Sequence, residues 1–293
     1  SAVFSVNVSE FEVNNVMEWL WHSLADPLSF AFMQRALLVA VAVGILCAVV
    51  GSYLLVQSLA LLGDAISHSL LPGLAIAYML GLNLFVGAFV AGLLSALLIQ
   101  WIRSASPLKP DAAMGIVFSA FFALGILLIT LIQRRARIDL NHFLFGNLLG
   151  VNAVDVLTVV GITLLVLGLV ALFFKELTFY SFDPLGAKAA GLPTERLGWG
   201  LMVLTSLTLV ASMKAVGVLL VLAMLITPAA TAYLVVPRLH QVMLLGSLFG
   251  VSASLLGMYA SYYLNVASGP AIVLVASAWF SLAFLGRVFS GTR

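Results

Sequence analysis

Long apolar runs, each closed by a short polar or glycine- and proline-bearing stretch, repeat along nearly the whole chain. Runs such as 36–56 and 154–174 are apolar over the roughly 20 residues that a helix needs to cross a bilayer. The pattern predicts spans near 36–57, 59–80, 84–102, 112–132, 153–174, 197–211, 215–236, 240–264 and 270–288. The sixth is short, so the expectation is an all-α polytopic integral membrane protein of eight to nine transmembrane helices with no soluble domain. Before the first span, "NNVMEWLWHSLADPLSFAFMQR" sets Trp19, Trp21, Phe30 and Phe32 among polar residues. Aromatic rings favour the headgroup level, so residues 1–34 are expected to form an extracytoplasmic, interfacial amphipathic segment. Residues 35–289 then form a single transmembrane domain.

Composition agrees with that pattern. Of 293 residues, 63% are hydrophobic and 8% charged, against about 25% charged in a soluble domain. The net charge is +2 and the basic residues are dispersed, so no stripe suited to nucleic acid exists, and charge bears on topology instead. With nine crossings and the N-terminus outside, Arg103, Lys109, Lys175, Lys188, Arg196, Arg238, Arg287 and Arg293 all fall on the cytoplasmic side; Arg134, Arg135 and Arg137 are the exception. The one cysteine, Cys47, lies in the first span and reads as a small buried hydrophobe.

Candidate chemistry centres on "GDAISHSLLPG", residues 63–73. Asp64 and His68 are four residues apart, which places them one turn apart on one helical face. A carboxylate at the centre of a membrane helix costs about 2.5–3.5 kcal/mol on insertion scales, and such residues usually mark an ion or substrate pathway. Pro72 has no N–H for the carbonyl of His68, so a helix continuing through it would expose that carbonyl beside the pair. Oxygen and nitrogen donors without a thiolate suit manganese, iron or zinc. One such pair cannot fill a coordination shell; a second helix or protomer must contribute. A neutralised structural pair and a proton relay remain alternatives.

Three further stretches stand out. In "KELTFYSFDPLGAKAAGLPTERLG", Asp183 reads as an N-cap and Pro184 as the first helical residue; Leu185, Gly186 and Ala187 continue a short helix that Gly191 ends. A helix inside the basic loop 175–197 suits the docking of a partner, or is an ordinary capped turn. In "AVGVLLVLAMLITPAATAYLVV", Pro228 frees the carbonyl of Met224 and is expected to kink the span, with Thr227 and Thr231 compensating in part. "DLNHFLFGNLLGVNAVD" offers Asn141, His142, Asn147, Asn152 and Asp155, and reads better as a satisfied re-entrant or interfacial segment than as a ligand set. The chain has no G-x-x-x-x-G-K-[ST], H-E-x-x-H or G-x-S-x-G, so any use of ATP requires another subunit.

With these residues in view, the chain resembles the permease subunits of bacterial manganese, zinc and iron ABC importers. The similarity runs in order and spacing from about 30 to 288. It is carried by "GSYLLVQSLALLGDAISHSLLPGLAIAYMLG", "SFDPLGAKAAGLP" and "VGVLLVLAMLITPAATA", and more weakly by "FLFGNLL". Two positions depart from the family pattern: Val56-Gln57-Ser58 stands where a basic residue is common, and Leu185 where an acidic one is. The resemblance implies a multi-pass homodimer in the bacterial plasma membrane that is not itself an enzyme. Two ABC ATPase subunits would dock on the 183–192 helices and an extracytoplasmic metal-binding protein would deliver the ion. Asp64 and His68 become pathway ligands for a divalent metal, manganese ahead of zinc or iron, moved by alternating access; Pro72 and Pro228 shape the pathway. A proton- or ion-coupled secondary carrier using Asp64 and His68 is the competing reading, and a membrane scaffold the third.

Overall fold

The computed structural model describes residues 26–133 and 148–289. The segment 1–25, with Trp19 and Trp21, and the stretch 134–147, with Arg134, Arg135, Arg137, Asn141, His142 and Asn147, lie outside the described residues. Within them the chain is helical: α1 (Ala31–Val56), α2 (Leu62–Ser69), α3 (Leu71–Met79), α4 (Leu84–Ala105), α5 (Pro110–Gln133), α6 (Ala153–Leu172), α7 (Phe174–Phe182), α8 (Pro184–Ala189), α9 (Thr194–Val216), α10 (Val218–Val235), α11 (Leu239–Leu264) and α12 (Ser268–Phe289). Eight of these are long and apolar enough to cross a bilayer. The protein is an all-α polytopic membrane protein.

Several expectations need correction. The span expected at 59–80 is not one helix: it divides into α2 and α3 around Leu70. Pro72 is the cause, because it sits in the first turn of α3 and cannot donate to His68. The carbonyl of His68 is met by the N–H of Leu70, so it does not join the side chains as a free donor. The short sixth span is a full helix of 23 residues, Thr194–Val216: the expected 197–211 stops short of the polar Thr194, Glu195 and Arg196 at one end and of Ser212 and Lys214 at the other, all of which are helical. Within it, buried Thr205 and Thr208 are satisfied by bonding back to the carbonyls of Leu201 and Leu204. The loop 175–197 contains a second helix, α7, ahead of the capped one.

Small residues set how the helices meet. α1 packs against α10 and α11 so closely that a Cβ added at Gly51 would collide with the carbonyl oxygen of Leu225, and Gly44 and Gly250 abut backbone to backbone. Gly73 on α3 and Gly87 on α4 abut in the same way. Without a hydrophobic force between helices in lipid, this approach of backbones supplies the packing energy. Gly217, at φ +83°, turns the chain directly from α9 into α10. α12 packs on α10 and α11, while α9 joins α4 to α6. Cys47 is fully buried on α1.

Pro228 lies inside an unbroken α10 and is buried. Thr231 Oγ1 donates to the Thr227 carbonyl at 2.7 Å, so it does not compensate the carbonyl of Met224 as expected. At the opposite end of the bundle from α8, Lys214 Nζ pairs with Asp155 Oδ1 at 2.7 Å and stands 5.5 Å from the centre of the Phe85 ring. This bridge ties α9 to α6 and accounts for Asp155. Asn152 caps α6 by accepting from the Asp155 N–H at 2.8 Å.

The glycine contacts make a direct prediction. Gly51→Ala forces α1 away from α10 and lowers stability by about 1–3 kcal/mol, read as a lower unfolding midpoint of the purified protein. Gly161→Ala, where an added Cβ would meet nothing within 4 Å, leaves the midpoint unchanged or slightly raised.

Candidate functional site

α2 holds Asp64 and His68 at the depth of the apolar helix interiors. Its Gly63 faces the side chains of Leu209 on α9 and of Leu222 and Leu225 on α10. Two serines make the short helix tolerable in that environment. Ser67 Oγ donates to the Asp64 carbonyl at 2.8 Å, and Ser69 Oγ to the Ala65 carbonyl at 2.6 Å, so both hydroxyls are spent on the backbone. The polar groups left to project are the carboxylate and the imidazole.

These two do converge, as the spacing of four residues requires. His68 Nε2 lies 3.5 Å from Asp64 Oδ1, too long for a strong hydrogen bond and suited to two donors turned toward a common point. Their side chains are 55% exposed at Asp64 and 37% at His68 in the single chain. Among the described residues no third His, Cys, Asp or Glu stands close enough to share an ion with them. A chain therefore presents a carboxylate and an imidazole together on its outer face, at a depth where lipid cannot solvate a carboxylate.

The break below His68 sets the direction of this face. Because α2 ends at Ser69, the pair ends one helix and Pro72 begins the next, with Leu70 the sole hinge residue between them. Pro72 thus acts by ending α2. Pro228 is buried on α10, where Gly246 of α11 approaches its carbonyl.

A second surface forms where the ends of α1, α4, α7 and α8 gather. Asp183 is the N-cap of α8 as the sequence indicates: its Oδ1 accepts from the Gly186 N–H at 2.8 Å, with Pro184 as the first helical residue. Ala187 is fully buried under α8, whereas Leu185 is 81% exposed at its tip. Gln57 Nε2 donates to Ser181 Oγ at 3.0 Å and ties α1 to α7. Beside α8 opens a cleft of about 730 Å³ lined by Trp101, Arg103, Tyr180, Leu185, Lys188 and Glu195. Sequence reasoning singled out the helix but not this cleft, since Trp101 and Arg103 come from the end of α4, some 80 residues earlier in the chain. It also passed over Lys214, although a lysine inside an apolar run is a signal in its own right.

Comparison with known proteins accords with these geometries. Residues 29–287 match the model of the ABC 3 transport family. The manganese transport system membrane protein MntC of Listeria monocytogenes is 47% identical over 275 residues, covering 92% of this chain and 98% of that protein. The chelated iron transport system membrane protein YfeD of Yersinia pestis is 40% identical over 272 residues, covering 92% and 90%. Among solved structures, PsaBC from Streptococcus pneumoniae in complex with Fab superposes with a TM-score of 0.78 at 44% identity, covering 90% of this chain and 95% of that one. The chain is a membrane transport subunit and belongs to the ABC 3 transport family.

Proposed function

We propose that this protein is the membrane-spanning subunit of an ABC importer that carries manganese into the cytoplasm across the plasma membrane. Asp64 and His68 of two copies would together form the ion site. The observation that carries this reading is the exposure of a carboxylate–imidazole pair on the outer face of one chain at membrane depth. A second copy placed against α2 removes both groups from lipid and doubles the donor set to two carboxylates and two imidazoles. Oxygen and nitrogen donors without thiolate fit manganese, with iron and zinc close behind. The transport systems named for the relatives, manganese in MntC and chelated iron in YfeD, support the same range.

The ion undergoes no chemical change. Transport requires alternating access, in which ligands hold the dication while one side closes before the other opens. The energy for that cycle comes from ATP hydrolysed by two partner ATPase subunits docked at α8 and its cleft, where exposed Leu185 offers an apolar tip and Arg103, Lys188 and Glu195 offer charge. Motion at α8 reaches the ion site through α7 and the Gln57–Ser181 bond to α1, since α1 leads by the short turn 57–61 into α2. An extracytoplasmic metal-binding protein supplies the ion on the face that carries the Lys214–Asp155 bridge. In this scheme 1–34 forms the extracytoplasmic segment, 35–289 the permease domain and 175–197 the coupling loop.

Uptake of radioactive manganese into proteoliposomes containing the permease, its ATPase and its binding protein tests the site. Asp64→Ala and His68→Ala each abolish ATP-dependent uptake while the complex assembles as before. Normal uptake in both variants would show the pair to be structural, and uptake driven by a proton gradient without any ATPase would establish the carrier reading instead. For the docking surface, Asp183→Ala removes the cap of α8, a loss of about 0.5–2 kcal/mol of local helix stability. It lowers the amount of ATPase retained on the purified permease several-fold; unchanged retention would contradict the docking role.

A further inference from the structure

His68 is enclosed on one side by two aromatic rings of α5. Its imidazole lies 5.4 Å from the Phe118 ring at an interplanar angle of 72° and 5.5 Å from the Phe122 ring at 89°. The two phenyl rings stack on each other at 5.6 Å and 22°. One turn further along the same face, Gly125 sits against the helix break. A Cβ there would come to 2.5 Å from Leu71 Cβ and 3.1 Å from Pro72 Cδ. The spacing 118, 122, 125 is that of one helical stripe, so a single face of α5 grips the imidazole and the Pro72 break together.

From this geometry we infer that Phe118 and Phe122 are positioning residues for the ion site: they clamp the His68 imidazole so that its Nε2 is held toward the Asp64 carboxylate before an ion arrives. The inference rests on the reading of Asp64 and His68 as ligands. α2 cannot supply this constraint itself. It is eight residues long, its serine hydroxyls are committed to the backbone, and the pair is 37% and 55% exposed. Edge-to-face contacts with two rings on neighbouring turns hold the plane of the imidazole, and of the two flips that keep this plane the Asp64 carboxylate selects the one that turns Nε2 toward it. A ligand ordered in advance does not lose its rotamer freedom when the ion binds, so the clamp lowers the ion concentration needed for binding without touching the ion. α5 is suited to this: it packs on α2, α3 and α4, and so bears on the site from one side only.

Equilibrium binding of manganese to the purified permease–ATPase complex tests the clamp, with ATP-dependent uptake from the binding protein as a second readout. The variants are Phe118→Leu/Phe122→Leu, each single change, the ring-preserving Phe122→Tyr, and His68→Ala as a control. The double leucine variant raises Kd for manganese about tenfold with ATPase retention unchanged. Each single leucine variant raises it by a smaller factor, and Phe122→Tyr keeps the original Kd. Should the double variant fail to assemble, the single variants decide by the same criterion. An unchanged Kd in the leucine variants overturns the positioning role. If His68→Ala binds and transports manganese normally, the ligand assignment itself is wrong and the clamp falls with it. If His68→Ala is inactive while the leucine variants keep the original Kd, the clamp alone is wrong.

Discussion

A carboxylate halfway through an apolar bundle has to be neutralised, solvated or shared, and the arrangement around Asp64 answers that requirement. His68 stands one turn away but at 3.5 Å, a distance that leaves both groups able to accept another partner. More than half of the Asp64 side chain is open on the surface of the single chain. In water that exposure would be unremarkable. In hydrocarbon it demands a cover, and the proposed function supplies one: a second copy, with a cation held between the two. The rest of the fold serves to place this one exposed turn. Pro72 ends α2 immediately after it, Gly63 lets α2 lie close on α9 and α10, and α5 leans on it from the side.

The proposed docking surface lies far from that turn and is still connected to it. α8 is anchored by the Asp183 cap and by the burial of Ala187, which leaves Leu185 as its exposed tip. Gln57 uses its amide to bond Ser181 and so joins the end of α1 to α7. At the other end, the Lys214–Asp155 bridge beside the Phe85 ring joins α9, α6 and α4. Only part of the Lys214 charge is shielded, so its contribution falls between those of a surface pair and a buried one.

Much of this was legible in the chain alone, because the dominant signals are local. Apolar runs of bilayer length mark the helices, the four-residue spacing brings Asp64 to His68, and Asp183-Pro184 announces a capped helix start. What escaped reading depends mostly on partners distant in sequence, with the length of α9 a local exception. Its ends carry Thr194, Glu195 and Arg196 on one side and Ser212 and Lys214 on the other, which hydropathy excludes from the expected 197–211 although all are helical; Lys214 is accommodated by its pairing with Asp155. The division of 59–80 was half visible: Pro72 announced a disturbance, but whether the helix bends through it or ends depends on Gly125 of α5 making room for the break. Phe118 and Phe122 read as two apolar residues among many until the fold brings them around His68.

The account stands on the claim that two chains build one ion site from two identical halves. Equilibrium binding of manganese to the purified permease–ATPase complex measures that claim directly. One manganese bound per two permease chains, and none in the Asp64→Ala variant, is the result the account predicts. One manganese per single chain, or binding that survives loss of Asp64, would contradict it.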